Sequence, residues 1–199
     1  MATIDAKTVM KLRQETGLSM MRCKEALTAS KGDMEKAKEY LRKKGLETAQ
    51  GLSGRETRNG FIAHYIHHDG TIGVLIELNC ETDFVARNKD FQTMGIDLAM
   101  HVASMKPKYL DRSDVDPDVL DKEREIYRER FLAEGKPEKI VDKIVEGQIK
   151  KFYAANCLLD QEFVKAVKGE TVAEVLKAAI AKIGENITVP RFVRFEVGG

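Results

Sequence analysis

The chain of 199 residues carries 33 lysines and arginines against 32 aspartates and glutamates, so its formal net charge is +1 and a nucleic-acid-binding function is disfavoured. No apolar run approaches the roughly 20 residues that cross a bilayer, and the first residues lack the charged and apolar regions of a signal peptide, so we expect no membrane segment. The three cysteines are widely spaced and odd in number, which indicates reduced thiols in a cytoplasmic protein and no disulfide framework.

Residues 4–45 predict three short helices. Asp5 and Ser19 are N-cap residues for the first two helices, and Gly32-Asp33 opens the third. Gly17 and Gly45 are predicted to end the first and third helices. Three helices in so few residues predict a small bundle that resembles the ubiquitin-associated fold.

The start of the second helix carries two adjacent methionines, Met20 and Met21. Met20 shares a helical face with Cys23 and Leu27, which would place it in the core of the bundle. Methionine is also adaptable at binding surfaces. The residues therefore leave core packing and partner contact equally open.

Residues 47–58 contain glycine, serine and alternating charges with little apolar periodicity, and we interpret them as a linker. They divide the chain into a bundle at 1–46, a linker at 47–58 and a core domain at 59–199. In the core domain, residues 61–66 and 72–78 predict a β-hairpin around a His-Asp-Gly turn at 68–70. One face of its second strand carries the apolar side chains of Ile72, Val74, Ile76 and Leu78.

The next segment, residues 79–88, connects this strand to a helix predicted at 90–105; we call residues 79–88 the probe loop. A surface loop should be polar, yet this one places Phe84 directly beside Asp83. One interpretation is that Phe84 folds back and fills the core beneath the helix. The other is that Asp83 and Phe84 enter a second molecule.

The remainder predicts further helices and one strand. Two long helices at about 118–132 and 137–155 form a helical hairpin. Thr171 and Glu174 form a capping box that opens a last helix, Gly184 ends it, and residues 187–197 form a third strand. The fold class is therefore α+β: a small three-helix bundle followed by a domain with a three-stranded antiparallel sheet and a helical hairpin.

An enzymatic function lacks the expected groups. His64, His67 and His68 are close in sequence, but His67 points away from the other two in a strand, and no zinc-ligand spacing is completed. Nothing positions Cys80 as a nucleophile, and no phosphate-binding loop of the P-loop type exists. We therefore expect an interaction protein with no metal, cofactor or catalytic residue of its own. An alternative function is a ubiquitin-like or nascent-chain binding adaptor with a scaffold domain.

Three segments resemble signatures of the elongation factor Ts family: residues 12–27 (LRQETGLSMMRCKEAL), 77–88 (ELNCETDFVARN) and 191–197 (RFVRFEV). They occur in the family's order and span essentially the whole chain. The resemblance implies a guanine-nucleotide exchange factor in translation, whose partner is elongation factor Tu with its bound GDP and magnesium. Its implied magnesium-dislodging segment is Thr82, Asp83, Phe84 and Val85.

The resemblance also implies further contacts with the partner. The bundle would dock on the GTPase domain through the segment near Leu12, Met20 and Met21. Residues 100–107 (MHVASMKP) resemble a segment whose histidine touches the partner. A histidine at this position of the helix is ordinarily a packed core residue, and we favour partner contact for His101.

The same resemblance bears on assembly, because longer family members carry a duplicated core and this chain has room for one copy. One face of a three-stranded sheet would carry Leu75, Glu77 and, in one register, Phe192, and it would be too apolar to remain exposed. We therefore expect a homodimer through this sheet that binds two partner molecules. A monomer whose helical hairpin covers the face is the alternative.

Overall fold

The computed structural model describes residues 4–167 and 169–199, so residues 1–3 of the predicted bundle and Lys168 lie outside the description. Eight α-helices occur in the described part: α1 Ala6–Thr16, α2 Met20–Ala29, α3 Met34–Leu52, α4 Asp83–Ala86, α5 Lys89–Met105, α6 Pro117–Ala133, α7 Glu138–Asn156 and α8 Val172–Ile183. Three strands accompany them: β1 Asn59–Ile66, β2 Ile72–Cys80 and β3 Ile187–Glu196. This is the predicted α+β composition.

The first three helices pack around a small apolar cluster that includes Val9, Cys23 and Leu27. The predicted caps of these helices are confirmed, since the side chains of Asp5, Ser19 and Asp33 each accept a hydrogen bond from a backbone N–H in the first turn. Gly17 ends α1 in the left-handed region, also as predicted.

The predicted end of the third helix at Gly45 is wrong, because α3 continues to Leu52. Ala49 and Leu52 are buried in the main core with residues of the sheet and α8. The first half of the predicted linker is therefore helical and packed. A Cβ built at Gly45 would lie 3.1 Å from the Cβ of Ala181 on α8, so the glycine permits close approach of α3 and α8.

The sheet is antiparallel, with β2 in the middle and β1 and β3 at the edges. Its inner face is formed on β2 by Val74, Ile76 and Leu78, all fully or almost fully buried, as the alternation predicted. Helix α5 covers this face with Phe91, Leu98 and Val102, and α8 adds Leu176 and Ile180. Thr171 and Glu174 form the predicted capping box at the start of α8, and Gly184 ends the helix.

Helices α6 and α7 form the predicted hairpin, which has its own apolar cluster. Val141, Val145 and Ile149 of α7 pack against Leu120, Tyr127, Phe131 and Tyr153. The hairpin leaves the outer face of the sheet uncovered, since Leu75, Val193 and Phe195 on that face are exposed.

The outer face of the sheet is apolar and exposed. Leu75 on the middle strand lies opposite His64 of β1 and Val193 of β3. The exposed apolar residues of the sheet are Ile62, Ile66, Leu75, Val193 and Phe195. Phe192 does not belong to them: it pairs with the buried Ile76 and packs against the main core, so the alternative register with Phe192 outside is wrong.

Candidate functional site

The probe loop, residues 79–88, contains the most exposed phenylalanine of the described residues. Strand β2 ends at Cys80, and a single helical turn, α4, begins at Asp83. Thr82 caps this turn in an extended conformation, with its hydroxyl accepting a hydrogen bond from the Val85 N–H at 3.4 Å. The side chain of Phe84, in the first turn, is 81% exposed. Phe84 therefore does not fill the core beneath the helix, which was one of the two interpretations of the sequence.

The core beneath the probe loop is filled by other residues. Val85 and Ala86 pack against the main cluster from the inner side of α4, and Phe91 of α5 is fully buried. Successive side chains of a helix are about 100° apart, so Phe84 projects outward while Val85 faces the core. Of the four predicted site residues, Phe84 and Asp83 are thus presented to solvent, whereas Val85 anchors the turn.

The carboxylate of Asp83 is half-exposed and holds one ion pair within the loop. The guanidinium of Arg87, one turn later, donates to it at 2.7 Å. Exposed pairs of this kind contribute about 0–1 kcal/mol, so a competing partner group could displace Arg87 at small cost. Asp83 is therefore available for an interaction outside the chain.

The backbone of the probe loop is held by one of its own side chains and by side chains from distant segments. The Asn59 amide donates to the Glu81 carbonyl at 2.8 Å, and the Cys80 thiol donates to the Thr82 carbonyl at 3.1 Å. The carboxylate of Glu185, at the α8–β3 turn, accepts from the backbone N–H groups of Glu81 and Thr82. Glu185 was not predicted from the sequence, because it lies 104 residues from Glu81 and has only the helix-ending Gly184 before it as a local signal.

The two methionines of the bundle are on its surface. Met21 is 77% exposed and Met20 is partly exposed, so neither fills the core as the alternative interpretation held. Leu12 requires a correction: it is fully buried in the bundle cluster and its side chain is not presented to a partner. The exposed apolar surface of this region is formed by Met20 and Met21, with Met10 of α1 also exposed.

His101 also requires a correction, because its side chain is fully buried on α5. Its Nδ1 accepts a hydrogen bond from the Val164 N–H at 3.1 Å, which places the proton on Nε2, 3.0 Å from the Gln161 side-chain oxygen. Burial lowers the pKa of the imidazole below its ordinary value. In this structure His101 is a satisfied core residue rather than a surface contact.

The remaining reactive groups do not form a second site. All three cysteines are buried and free, and burial raises the pKa of Cys80 and of Cys157 to about 11. A thiol with such a pKa is almost entirely protonated at neutral pH and is a poor nucleophile. Among residues 4–167 and 169–199, no cluster of three or more metal-ligating side chains occurs, and no helix has the length and apolar composition of a membrane span.

Comparison with known proteins supports the sequence resemblance. A family model described as "Elongation factor TS" matches residues 46–199. A protein of Fervidobacterium nodosum named "Elongation factor Ts" is 52% identical over 195 residues, which is 98% of this chain and 98% of that protein. Proteins with the same name from Moorella thermoacetica and Solibacter usitatus are 54% and 52% identical, and these matches cover 98% and 100% of this chain and 96% and 93% of the relatives.

Proposed function

The chain belongs to the elongation factor Ts family, and we propose that it is the guanine-nucleotide exchange factor that releases GDP from elongation factor Tu. The observation that carries the proposal for the site is Phe84, a large apolar side chain held 81% exposed beside the carboxylate of Asp83. The protein acts by binding and performs no covalent chemistry. Its place of action is the cytoplasm.

The physical basis of exchange is linkage between two binding events. An exchange factor binds the nucleotide-free GTPase more tightly than the GDP-bound form. By thermodynamic reciprocity, it then lowers the affinity of the GTPase for GDP by the same factor. The protein therefore needs a surface that fits the nucleotide-free conformation and conflicts with the GDP-bound one.

The probe loop provides this surface. Phe84 inserts into an apolar groove of the partner, and Asp83 disturbs the water and side-chain network that holds the partner's magnesium. Loss of the cation leaves the charge of the GDP phosphates uncompensated, which weakens their binding. The packed positions of Val85 and Ala86 support this role, because they fix the turn from which Phe84 projects.

The bundle docks on the GTPase domain of the partner. Its contact surface is centred on Met20 and Met21 at the start of α2, where two flexible, polarisable side chains are exposed together. Leu12 supports this surface from within the bundle. His101 does not contact the partner directly; it is buried on α5 and stabilises the core domain.

Two copies of the chain associate through the outer face of the sheet. Leu75, Val193 and Phe195 lie side by side on adjacent strands, and Ile62 and Ile66 extend the apolar area across β1. Burying this face about a two-fold axis removes it from water and creates a self-complementary interface. The dimer has two probe loops and binds two molecules of elongation factor Tu.

The double variant Asp83→Ala/Phe84→Ala tests the role of the probe loop. Release of fluorescent GDP from elongation factor Tu is measured after mixing with each protein, first with excess magnesium and then with a chelator. We expect the wild-type protein to be much faster than the variant in magnesium, and the difference to shrink when magnesium is already absent. Equal release rates for the two proteins in magnesium would refute the proposal.

A further inference from the structure

The carboxylate of Glu185 accepts three hydrogen bonds from the start of the probe loop. One oxygen accepts from the backbone N–H groups of Glu81 at 3.1 Å and Thr82 at 3.0 Å. The other oxygen accepts from the Thr82 hydroxyl at 2.6 Å. The hydroxyl bond is short, and hydrogen bonds to a carboxylate are stronger than neutral ones, so the three together restrain this segment.

The Thr82 hydroxyl transmits this constraint to the turn that carries Phe84. A hydroxyl has one proton and two lone pairs. Because its proton is donated to Glu185, its lone pairs face the Val85 N–H, from which it accepts the capping hydrogen bond of α4. Glu185 thus sets the orientation of the cap, and the cap sets the direction of Phe84.

The contact is reciprocal, which ties the probe loop to the end of α3. The carboxylate of Glu81 accepts from the Asn186 N–H at 2.7 Å, directly after Glu185 in the chain. The Asn186 side chain is buried and donates to the carbonyl of Arg55 at 2.8 Å. The α8–β3 turn therefore connects the probe loop with the segment that leaves the N-terminal bundle.

We propose that Glu185 is a positioning residue for nucleotide exchange, which holds Thr82 so that Asp83 and Phe84 are aimed at the partner's nucleotide site. This inference rests on the proposed exchange function. Glu185 acts through Thr82 and makes no contact with the partner. Its effect therefore falls on the maximal rate of GDP release from the complex and not on the concentration of protein that half-saturates release.

The first test replaces Glu185 with alanine and with glutamine. A displacement of about 1 Å can cost on the order of 100-fold in rate, so we expect Glu185→Ala to lower the maximal release rate by at least about tenfold while the half-saturating concentration stays the same. Glutamine keeps an oxygen for the backbone N–H groups and an amide for the hydroxyl, so Glu185→Gln recovers most of the rate. Wild-type maximal rates for Glu185→Ala, or a change confined to half-saturation, would overturn the proposal.

The matched control is Glu174→Ala, at the opposite end of α8. Glu174 also accepts a hydrogen bond from a backbone N–H, that of Thr171 in the capping box at the start of α8, so its loss removes a comparable carboxylate contact away from the probe loop. We expect a lowered melting temperature but an unchanged maximal release rate. An equal fall in maximal rate for Glu174→Ala would assign the effect of Glu185 to general destabilisation.

A mutant cycle against the variant Asp83→Ala/Phe84→Ala separates this inference from the proposed function. If Glu185 acts through Asp83 and Phe84, the triple variant Glu185→Ala/Asp83→Ala/Phe84→Ala is no slower than Asp83→Ala/Phe84→Ala alone. If the fold-losses in maximal release rate multiply in the combined variant, Glu185 does not act by positioning the probe loop. Wild-type release by Asp83→Ala/Phe84→Ala itself would instead refute the proposed role of the probe loop.

A milder variant keeps the proposal testable if Glu185→Ala does not fold. Glu185→Asp retains the charge but is shorter by one methylene, so its carboxylate is withdrawn from the Thr82 hydroxyl. We expect a severalfold fall in maximal release rate at unchanged half-saturation. A folded Glu185→Asp protein with the wild-type maximal rate contradicts the proposal.

Discussion

Replacing Phe84 with alanine distinguishes a side chain that acts on a partner from one that stabilises the fold. Phe84 is 81% exposed, so its truncation removes few contacts within the chain. Surface substitutions of this kind change the free energy of unfolding by less than about 0.5 kcal/mol. The stability of Phe84→Ala should therefore match that of the wild-type protein.

The effect on exchange is much larger if Phe84 is buried against the partner. Burial of a phenylalanine side chain is worth about 1.5–3 kcal/mol. Since each 1.4 kcal/mol corresponds to a factor of about ten, kcat/KM for stimulated GDP release should fall by about 10- to 150-fold.

Phe91→Ala is the matched control, because the same side chain is removed from a fully buried position seven residues later. Its free energy of unfolding should fall by about 3–5 kcal/mol. Urea denaturation measures stability for both variants, and stopped-flow fluorescence measures GDP release from elongation factor Tu. A loss of stability in Phe84→Ala comparable to that of Phe91→Ala, or wild-type release by Phe84→Ala, would show that the assignment of Phe84 is wrong.

Three further predictions address the dimer, the core histidine and the bundle. Leu75→Asp should give a light-scattering mass of 22.4 kDa, the mass of one chain. The wild-type protein should give twice that mass, and so should the control Ile140→Asp, which replaces a similarly exposed residue on the helical hairpin. A wild-type mass of 22.4 kDa would refute the dimer. Burial lowers the pKa of His101, so below the unfolded-state pKa of about 6.5 the unfolded chain binds the proton and the folded protein does not. The free energy of unfolding should therefore decrease as the pH is lowered from that value until the folded-state pKa is reached. His101→Gln should flatten this pH dependence in urea titrations, and an unchanged slope would contradict the assignment. A chain that starts at residue 46 should fold and should bind elongation factor Tu more weakly than the full chain in titrations. A chain that starts at residue 54 should be less stable than the one that starts at 46, because it also lacks the buried Ala49 and Leu52. Equal stability of the two truncated chains would contradict the packing of α3.

The prediction that the third helix ends at Gly45 failed because composition was a poor guide to packing. Glycine costs about 1 kcal/mol in a helix interior, and the segment after Gly45 shows little apolar periodicity. Burial of Ala49 and Leu52 against the main core, together with the close approach of Gly45 to Ala181, outweighs this local preference. The contact of Gly45 with Ala181 joins segments far apart in the chain, and periodicity within one segment does not reveal it.

The register of β3 was ambiguous for a local reason. Ile187 and Val189 face inward, but Pro190 and Arg191 are both exposed, so the alternation shifts by one residue. From there Phe192 faces inward, whereas Val193 and Phe195 face outward. Proline has no N–H to donate to the neighbouring strand, so it is common where the strand pairing is irregular. The sequence does not indicate whether the residue after the irregularity faces the core or the solvent.

The probe loop was located from sequence because an apolar residue beside a carboxylate is unusual between a strand and a helix. Its orientation was not predictable, since a phenylalanine in that position can fill the core equally well. The structure resolves the choice through Val85 and Phe91, which occupy the space beneath the turn. Glu185 was missed because its role depends on the meeting of the α8–β3 turn with the end of β2.

The most direct test of the exchange function is the release of fluorescent GDP from elongation factor Tu as the concentration of this protein is raised. Substoichiometric amounts should accelerate GDP release from the whole pool of elongation factor Tu, because the protein is not consumed, and the release rate should saturate. Release at the spontaneous rate over the entire concentration range would contradict the exchange function.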